Sequence, residues 1–282
     1  MKLGTFKRRA DGGVFWGVVT GAGIVDMTRR TGLASLRAAL AADGIAQARA
    51  AAASAADVAL DAVDILPPVT DPARTLCIGL NYDAHRIETN QPKVDHPTVF
   101  VRFASAQVGH GAGMVRPKVS ERFDFEGELA VVIGKTARHV SKADAFSYIA
   151  GYSCFNDGSV RDYQRHATQF TPGKNFMASG AFGPWIVTAD EIPDPAKLTL
   201  TTRLNGQVVQ QSGTHDLIFD IPALLEYITR WTVLEPGDVI ATGTPSGVGA
   251  ARTPPLWMKP GDTVEVDISS IGVLRNPIIA EA

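Results

Sequence analysis

Cysteine is almost absent. Cys77 and Cys154 are the only two in 282 residues, which excludes a disulfide scaffold and leaves no paired spacing for a structural zinc site. That usage fits a reducing cytoplasm. Charge of one sign is not in excess either: 27 Lys and Arg face 29 Asp and Glu, a formal −2, so neither nucleic acid nor an anionic membrane is an expected partner. Long apolar runs are missing. None approaches the ~20 residues of a spanning helix, and Lys2, Lys7, Arg8 and Arg9 interrupt the start before the apolar core of a secretory signal could form. Nucleotide motifs fail on inspection. Gly134-Lys135-Thr136 has Leu129 where a P-loop needs its first glycine, Gly21-Ala22-Gly23 puts Asp26 at the third glycine of a dinucleotide fingerprint, and Gly247-Val248-Gly249 is followed by Arg252. No Gly-x-Ser-x-Gly elbow or His-Glu-x-x-His helix occurs.

What is present is a chain with 45% hydrophobic residues, enough for a substantial core and suited to one large domain or one plus a small appendage. Val18-Val19 and Ile24-Val25 read as short strands around a Gly21-Ala22-Gly23 turn. From Ser35 to Ala62 alanine dominates, which favours helix but offers few large apolar anchors, so a helical spacer is expected there. Leu66-Pro67-Pro68-Val69 and Asp71-Pro72 break it and mark a boundary near residue 70. The expected division is a small N-terminal domain over residues 1–70 and a catalytic domain over 71–282. Beyond the boundary the texture is strand and turn: a buried strand through Leu129–Gly134, a tight hairpin at Asn205-Gly206, and one helix over Pro222–Trp231 behind Asp220. Without regular strand and helix alternation, the fold class expected is a mixed, β-rich α+β.

Chemistry concentrates in three places. Glu126 and Glu128, two apart at the entrance to a strand, direct both carboxylates to one face. Taken alone, such a pair is also a common solvated strand face. Asp157 follows the strand-like Tyr152-Ser153-Cys154-Phe155-Asn156. If it joins the pair, three hard oxygens suit Mg²⁺ or Mn²⁺ rather than zinc; as an Asx residue it would merely form a turn. In Asn81-Tyr82-Asp83-Ala84-His85-Arg86-Ile87-Glu88, Asn81 or Asp83 is a plausible helix cap, and one turn sets His85 and Glu88 on the same face. Such a pair makes a base with its orienting carboxylate, or an incidental surface pair.

Six ordered blocks carry a resemblance to the fumarylacetoacetate hydrolase superfamily over residues 70–282. They are Gly79-Leu80-Asn81-Tyr82 with His85 and Glu88; Phe125-Glu126-Gly127-Glu128-Leu129; Asn156-Asp157 with Arg161-Asp162-Tyr163-Gln164; Gly173-Lys174-Asn175-Phe176; Gly183-Pro184-Trp185-Ile186-Val187; and Thr242-Gly243-Thr244-Pro245-Ser246-Gly247-Val248-Gly249. The resemblance implies a β-roll catalytic domain in a homodimer, with Mg²⁺ or Mn²⁺ on Glu126, Glu128 and Asp157. It implies that Arg161, Gln164, Lys174 and Thr244 bind substrate, and that His85 and Glu88 form a catalytic pair assisted by Lys174. Met177 departs from the usual pattern and is expected to make its part of the pocket less polar. The activity expected is hydrolysis of a carbon–carbon bond in a β-diketo acid of the acylpyruvate type. Oxaloacetate-type decarboxylation, enol–keto isomerisation of a muconate-derived dioate and a catalytically silent binding module are the alternatives.

Overall fold

Leu129-Ala130-Val131-Val132-Ile133 has no polar face, and the strand that contains it, Gly127–Ile133, is buried along its whole length. It lies inside a sheet of eleven strands in the computed structural model, which describes residues 1–42 and 44–282. The order across the sheet is Gly23–Asp26, Val14–Thr20, Lys2–Arg8, Gly180–Thr188, Ile149–Asn156, Gly127–Ile133, Val239–Ala241, Thr75–Gly79 and Thr98–Val101. Val63–Ile65 adds to Lys2–Arg8, and Gln107–Val108 adds to Gly180–Thr188. A second sheet, Gln207–Gly213, Thr199–Leu204, Thr263–Ile268, Gly272–Ala280 and Met114–Arg116, packs on the first. Phe125, Leu129 and Val131 meet Leu200, Val266 and Leu274 in the core between them.

Local expectations hold where local chemistry decides. Asn205 and Gly206, with φ of 54° and 80°, turn the hairpin. The helix Ile221–Trp231 begins where the Asp220 side chain accepts from the Ala223 amide, and buries Leu224, Leu225 and Ile228. Lys2–Arg8 runs antiparallel to Gly180–Thr188, pairing Lys2 with Val187 and Leu3 with Ile186, so the first strands extend the same sheet. The alanine-rich stretch forms two short helices, Leu36–Ala41 and Gly44–Ala51. They anchor better than their composition predicts, because alanine permits close approach: Leu36, Ala39, Leu40 and Ala48 are buried with Trp16, Val132 and Phe155. No helix among the described residues is long and apolar enough to cross a membrane.

Register is what gathers the acidic residues. Gly127–Ile133 and Ile149–Asn156 are antiparallel neighbours with Gly127 opposite Asn156, so the residue before one strand lies beside the residue after the other. The Asp157 amide donates to the Glu126 carbonyl at 2.9 Å. Gly127 allows the second sheet to close over this point, since a Cβ there would lie 2.1 Å from Thr202 Oγ1. Gly127→Ala is therefore expected to lower stability by about 1–3 kcal/mol, the usual cost of overpacking, measured as a shift in the urea midpoint; an unchanged midpoint would show that the sheets have slack here.

Candidate active site

Glu126, Glu128 and Asp157 are buried and each offers an oxygen within 4.8 Å of the others. Cations surround them unevenly. Lys174, at the end of the short helix Thr171–Lys174, places Nζ 2.6 Å from both Glu126 Oε2 and Asp157 Oδ2. Arg161, opening the helix Arg161–Gln164, reaches Glu126 Oε1 at 2.7 Å and Asp124 Oδ2 at 2.8 Å, and its Nη1 donates to Gln164 Oε1 at 2.9 Å. Arg102, enclosed just beyond the strand Thr98–Val101, pairs with Asp157 Oδ1. Glu128 alone of the three has no ion pair among the described residues; its Oε2 accepts from the Gly243 amide at 2.8 Å.

This asymmetry sets the electrostatics. Burial pushes the Glu126 carboxyl up, but Arg161 and Lys174 outweigh it and hold the group well below the usual carboxylate range. Burial, followed by the charges of Asp157 and Glu126, pushes Glu128 well above that range; Lys174 and the Gly243 amide offset this only in part. Burial works against the Lys174 charge, yet Asp157 and Glu126 raise its pKa above the ordinary lysine value. Three hard oxygen donors, one of them without a cation of its own, fit Mg²⁺ or Mn²⁺.

The helix Asp83–Glu88 supplies the fourth element. His85 Nδ1 lies 2.8 Å from Glu88 Oε1, while Glu88 Oε2 accepts from the Gly247 amide at 2.8 Å. The expected side-chain cap is absent. Tyr82 occupies the cap position, and Asp83 is already the first helical residue. The Asn81 amide is committed elsewhere, donating to the carbonyls of Phe219 and Thr242 and accepting from the Phe219 amide.

One cavity of about 320 Å³ is lined by His85, Glu126, Glu128, Asp157, Arg161, Gln164, Lys174 and Thr244. Of the residues expected to carry the chemistry, Glu88 is the one not on its wall, and it reaches the cavity through its contact with His85. Ile78, Phe100, Phe170 and Val248 give the cavity an apolar side, and Lys174 Nζ lies 5.1 Å from the Phe100 ring centroid. The Thr244 hydroxyl donates to the Gly127 carbonyl at 2.9 Å and accepts from Gln210 at 2.8 Å. Met177 corrects an expectation: it is 75% exposed and is not part of the cavity wall. Sequence reasoning missed Arg102, Asp124 and Gln210. For Asp124 a signal was there, because the alternation that pairs Glu126 with Glu128 extends back to it.

The fold and this cavity of buried acidic and basic groups define an enzyme scaffold. Residues 74–279 match the C-terminal fumarylacetoacetate (FAA) hydrolase family, and the chain belongs to that family. It is 41% identical over 219 residues to oxaloacetate tautomerase FAHD2A, mitochondrial, of Homo sapiens, covering 77% of this chain and 70% of that protein. Two solved structures are similar over 100% of both chains with TM-scores of 0.84: a fumarylacetoacetate hydrolase from psychrophilic Exiguobacterium antarcticum, 34% identical, and maleylpyruvate hydrolase from Sphingobium sp. SYK-6 in complex with manganese (II) ion and pyruvate, 31% identical. The β-rich α+β class expected from the sequence is thus that of the family's fold over the full chain.

The raised Glu128 pKa has a sign that can be measured. Protonation and cation ligation exclude each other at a carboxyl, so metal competes with protons, and a raised pKa strengthens that competition. Mn²⁺ affinity, followed by calorimetry, is expected to strengthen as pH rises towards the Glu128 pKa and to weaken as pH falls below it, with proton release on binding. Glu128→Gln should weaken binding and flatten this dependence. An affinity independent of pH in the parent would contradict the assignment.

Proposed function

We propose that the protein hydrolyses a carbon–carbon bond in β-diketo acids of the acylpyruvate type. The observation that carries this reading is the His85–Glu88 pair set on the same cavity as the acidic triad, beside an apolar side suited to an acyl group. Glu126, Glu128 and Asp157 are assigned to holding Mg²⁺ or Mn²⁺, which when bound supplies positive charge against the oxygens of a keto acid and its enolate.

The protein's own groups divide the remaining work. Arg161 and Gln164 grip the substrate carboxylate, the guanidinium being already oriented by Asp124 and Glu126. With Glu88 accepting from Nδ1–H, Nε2 of His85 is the free base. It takes a proton from a water whose oxygen attacks the distal carbonyl carbon. The bond between that carbonyl carbon and the adjacent methylene carbon breaks, its electron pair passes into the pyruvate enolate, and the proton held by His85 returns to the methylene carbon, which becomes the methyl of pyruvate. The products are pyruvate and a carboxylic acid. Lys174, charged and enclosed, donates to the developing enolate oxygen, a place where preorganised charge is strongest. Phe100 and Phe170 exclude water from the acyl end.

A second reading is enol–keto conversion of oxaloacetate, favoured by the 41% identity to the tautomerase and by Arg165 at the cavity, suited to a second carboxylate. It uses the same base to move a proton between the enol oxygen and carbon, without cleaving a carbon–carbon bond. Mn²⁺-loaded protein offered a panel of acylpyruvates and oxaloacetate separates them: pyruvate release from acylpyruvates supports hydrolysis, whereas accelerated loss of enol-oxaloacetate without pyruvate release from the panel supports tautomerisation. His85→Ala is expected to slow acylpyruvate hydrolysis by roughly 10²–10⁴, the range for a general base; hydrolysis at the parent rate would remove the pair from the mechanism. Lys174→Met should retain the fold and bound metal while turnover falls by ~10²–10³, the scale of one lost electrostatic partner. Unchanged turnover would place the lysine outside the chemistry.

A further inference from the structure

Asp124 is a fully buried carboxylate to which no role attaches through the triad or the dyad. It ends the two-residue strand Phe123–Asp124, which pairs with Ser159–Val160 immediately before Arg161. Four donors converge on it. Oδ1 accepts from the amides of Phe125 at 2.9 Å and Gly249 at 2.8 Å, and Oδ2 accepts from Arg161 Nε at 2.8 Å and the Ala250 amide at 3.0 Å. The approach of residue 249 is so close that a Cβ there would lie 2.6 Å from Asp124 Oδ1 and 1.8 Å from the Leu256 carbonyl oxygen. The same loop donates the Gly247 amide to Glu88 and the Gly243 amide to Glu128.

Resting on the reading of Arg161 and His85 given above, we infer that Asp124 is a positioning residue that locks the substrate-carboxylate arm to the loop behind the dyad. One oxygen pins the loop, and the other ties both the loop and the Arg161 guanidinium. The distance between the carboxylate grip and the base is thereby fixed by one rigid anion. Asp124 does not touch the substrate. Its removal lets Arg161 rotate towards Glu126 and lets the 247–250 segment drift from Glu88. The effect is expected on keto-acid affinity and on turnover together and far less on the metal, because Asp124 makes no bond to Glu128 or Asp157 and reaches Glu126 only through Arg161.

Asp124→Asn tests this, since it keeps the size but turns an amide group towards donors on one side. Two measurements are independent of which reaction is catalysed: pyruvate affinity of the Mn²⁺-loaded protein, and amide hydrogen exchange over residues 247–250. Pyruvate binding is expected to weaken about 10–100-fold, the usual effect of losing an orienting partner. Exchange over 247–250 should accelerate, while Mn²⁺ affinity stays within about twofold of the parent. In kinetics KM should rise and kcat should fall, and the loss should be less than additive with Arg161→Lys, as expected for coupled sites. Parent-like pyruvate affinity and exchange overturn the proposal, as does Mn²⁺ affinity lost in step with pyruvate affinity, which would make Asp124 part of the metal site. If Asp124→Asn does not fold, Ala250→Pro removes one of the donors to Oδ2 and must show the same pattern more weakly; parent behaviour there overturns the proposal too. Absence of turnover on every 2-oxo acid, with pyruvate binding and exchange responding as stated, would instead defeat the proposed reaction and leave this coupling standing.

Discussion

Four carboxylates, Asp124, Glu126, Glu128 and Asp157, lie below the surface within reach of three cations, Arg102, Arg161 and Lys174. Placing so much charge in a low-dielectric interior is costly unless each group is paired or hydrogen-bonded, and the surrounding architecture answers that demand. Both sheets contribute enclosure. The loop after Val239–Ala241 contributes backbone donors, its Gly243, Gly247, Gly249 and Ala250 amides being spent on carboxylates. Arg102, held additionally by the Gly158 carbonyl and Ser179 hydroxyl, neutralises Asp157 from the protein side. Among the described residues Glu128 is left without an ion pair, so the site counts four carboxyl groups against three cations.

That shortfall explains why the dyad and the triad share one cavity without collapsing into a closed salt-bridge network. His85 is directed to Glu88, and Glu88 is directed to the Gly247 amide, so neither is drawn to the acidic cluster. Lys174 spans Glu126 and Asp157 but leaves Glu128 alone. A carboxyl with no ion pair among the described residues therefore remains at one end and the His85–Glu88 pair at the other, an arrangement in which a cation and an anionic keto acid complement each other.

The legible parts of this architecture were those decided within a few residues. The apolar run Leu129–Ile133, the Asn205-Gly206 turn and the capped helix behind Asp220 follow from periodicity, positive φ and capping. Glu126 and Glu128 were legible as a pair for the same reason. Asp157 joins them only through the antiparallel register of Gly127 with Asn156, which no local pattern encodes. Asn81 was misread as a cap because its amide is claimed by Phe219 and Thr242, far along the chain. Met177 was misread because its place in a motif says nothing about the direction of its side chain. Arg102 follows an ordinary strand and gave no local sign of its burial.

Hydrolysis and tautomerisation draw on the same groups up to the proton transfer at His85. They part at the distal carbon, where one reaction needs water to reach a carbonyl and the other needs only that the base face the enol. Selectivity between them therefore resides less in the charged residues than in the wall meeting the distal group. Phe100 and Phe170, packed edge to face with centroids 5.6 Å apart, favour an acyl chain by exchanging apolar surface for water-excluding contact. Arg165 favours a carboxylate, but as an exposed residue its attraction is screened by solvent and salt. On that balance the aromatic pair, Phe100 buried and Phe170 partly so, outweighs the exposed arginine, which is what supports proposing an apolar acyl group for the distal subsite.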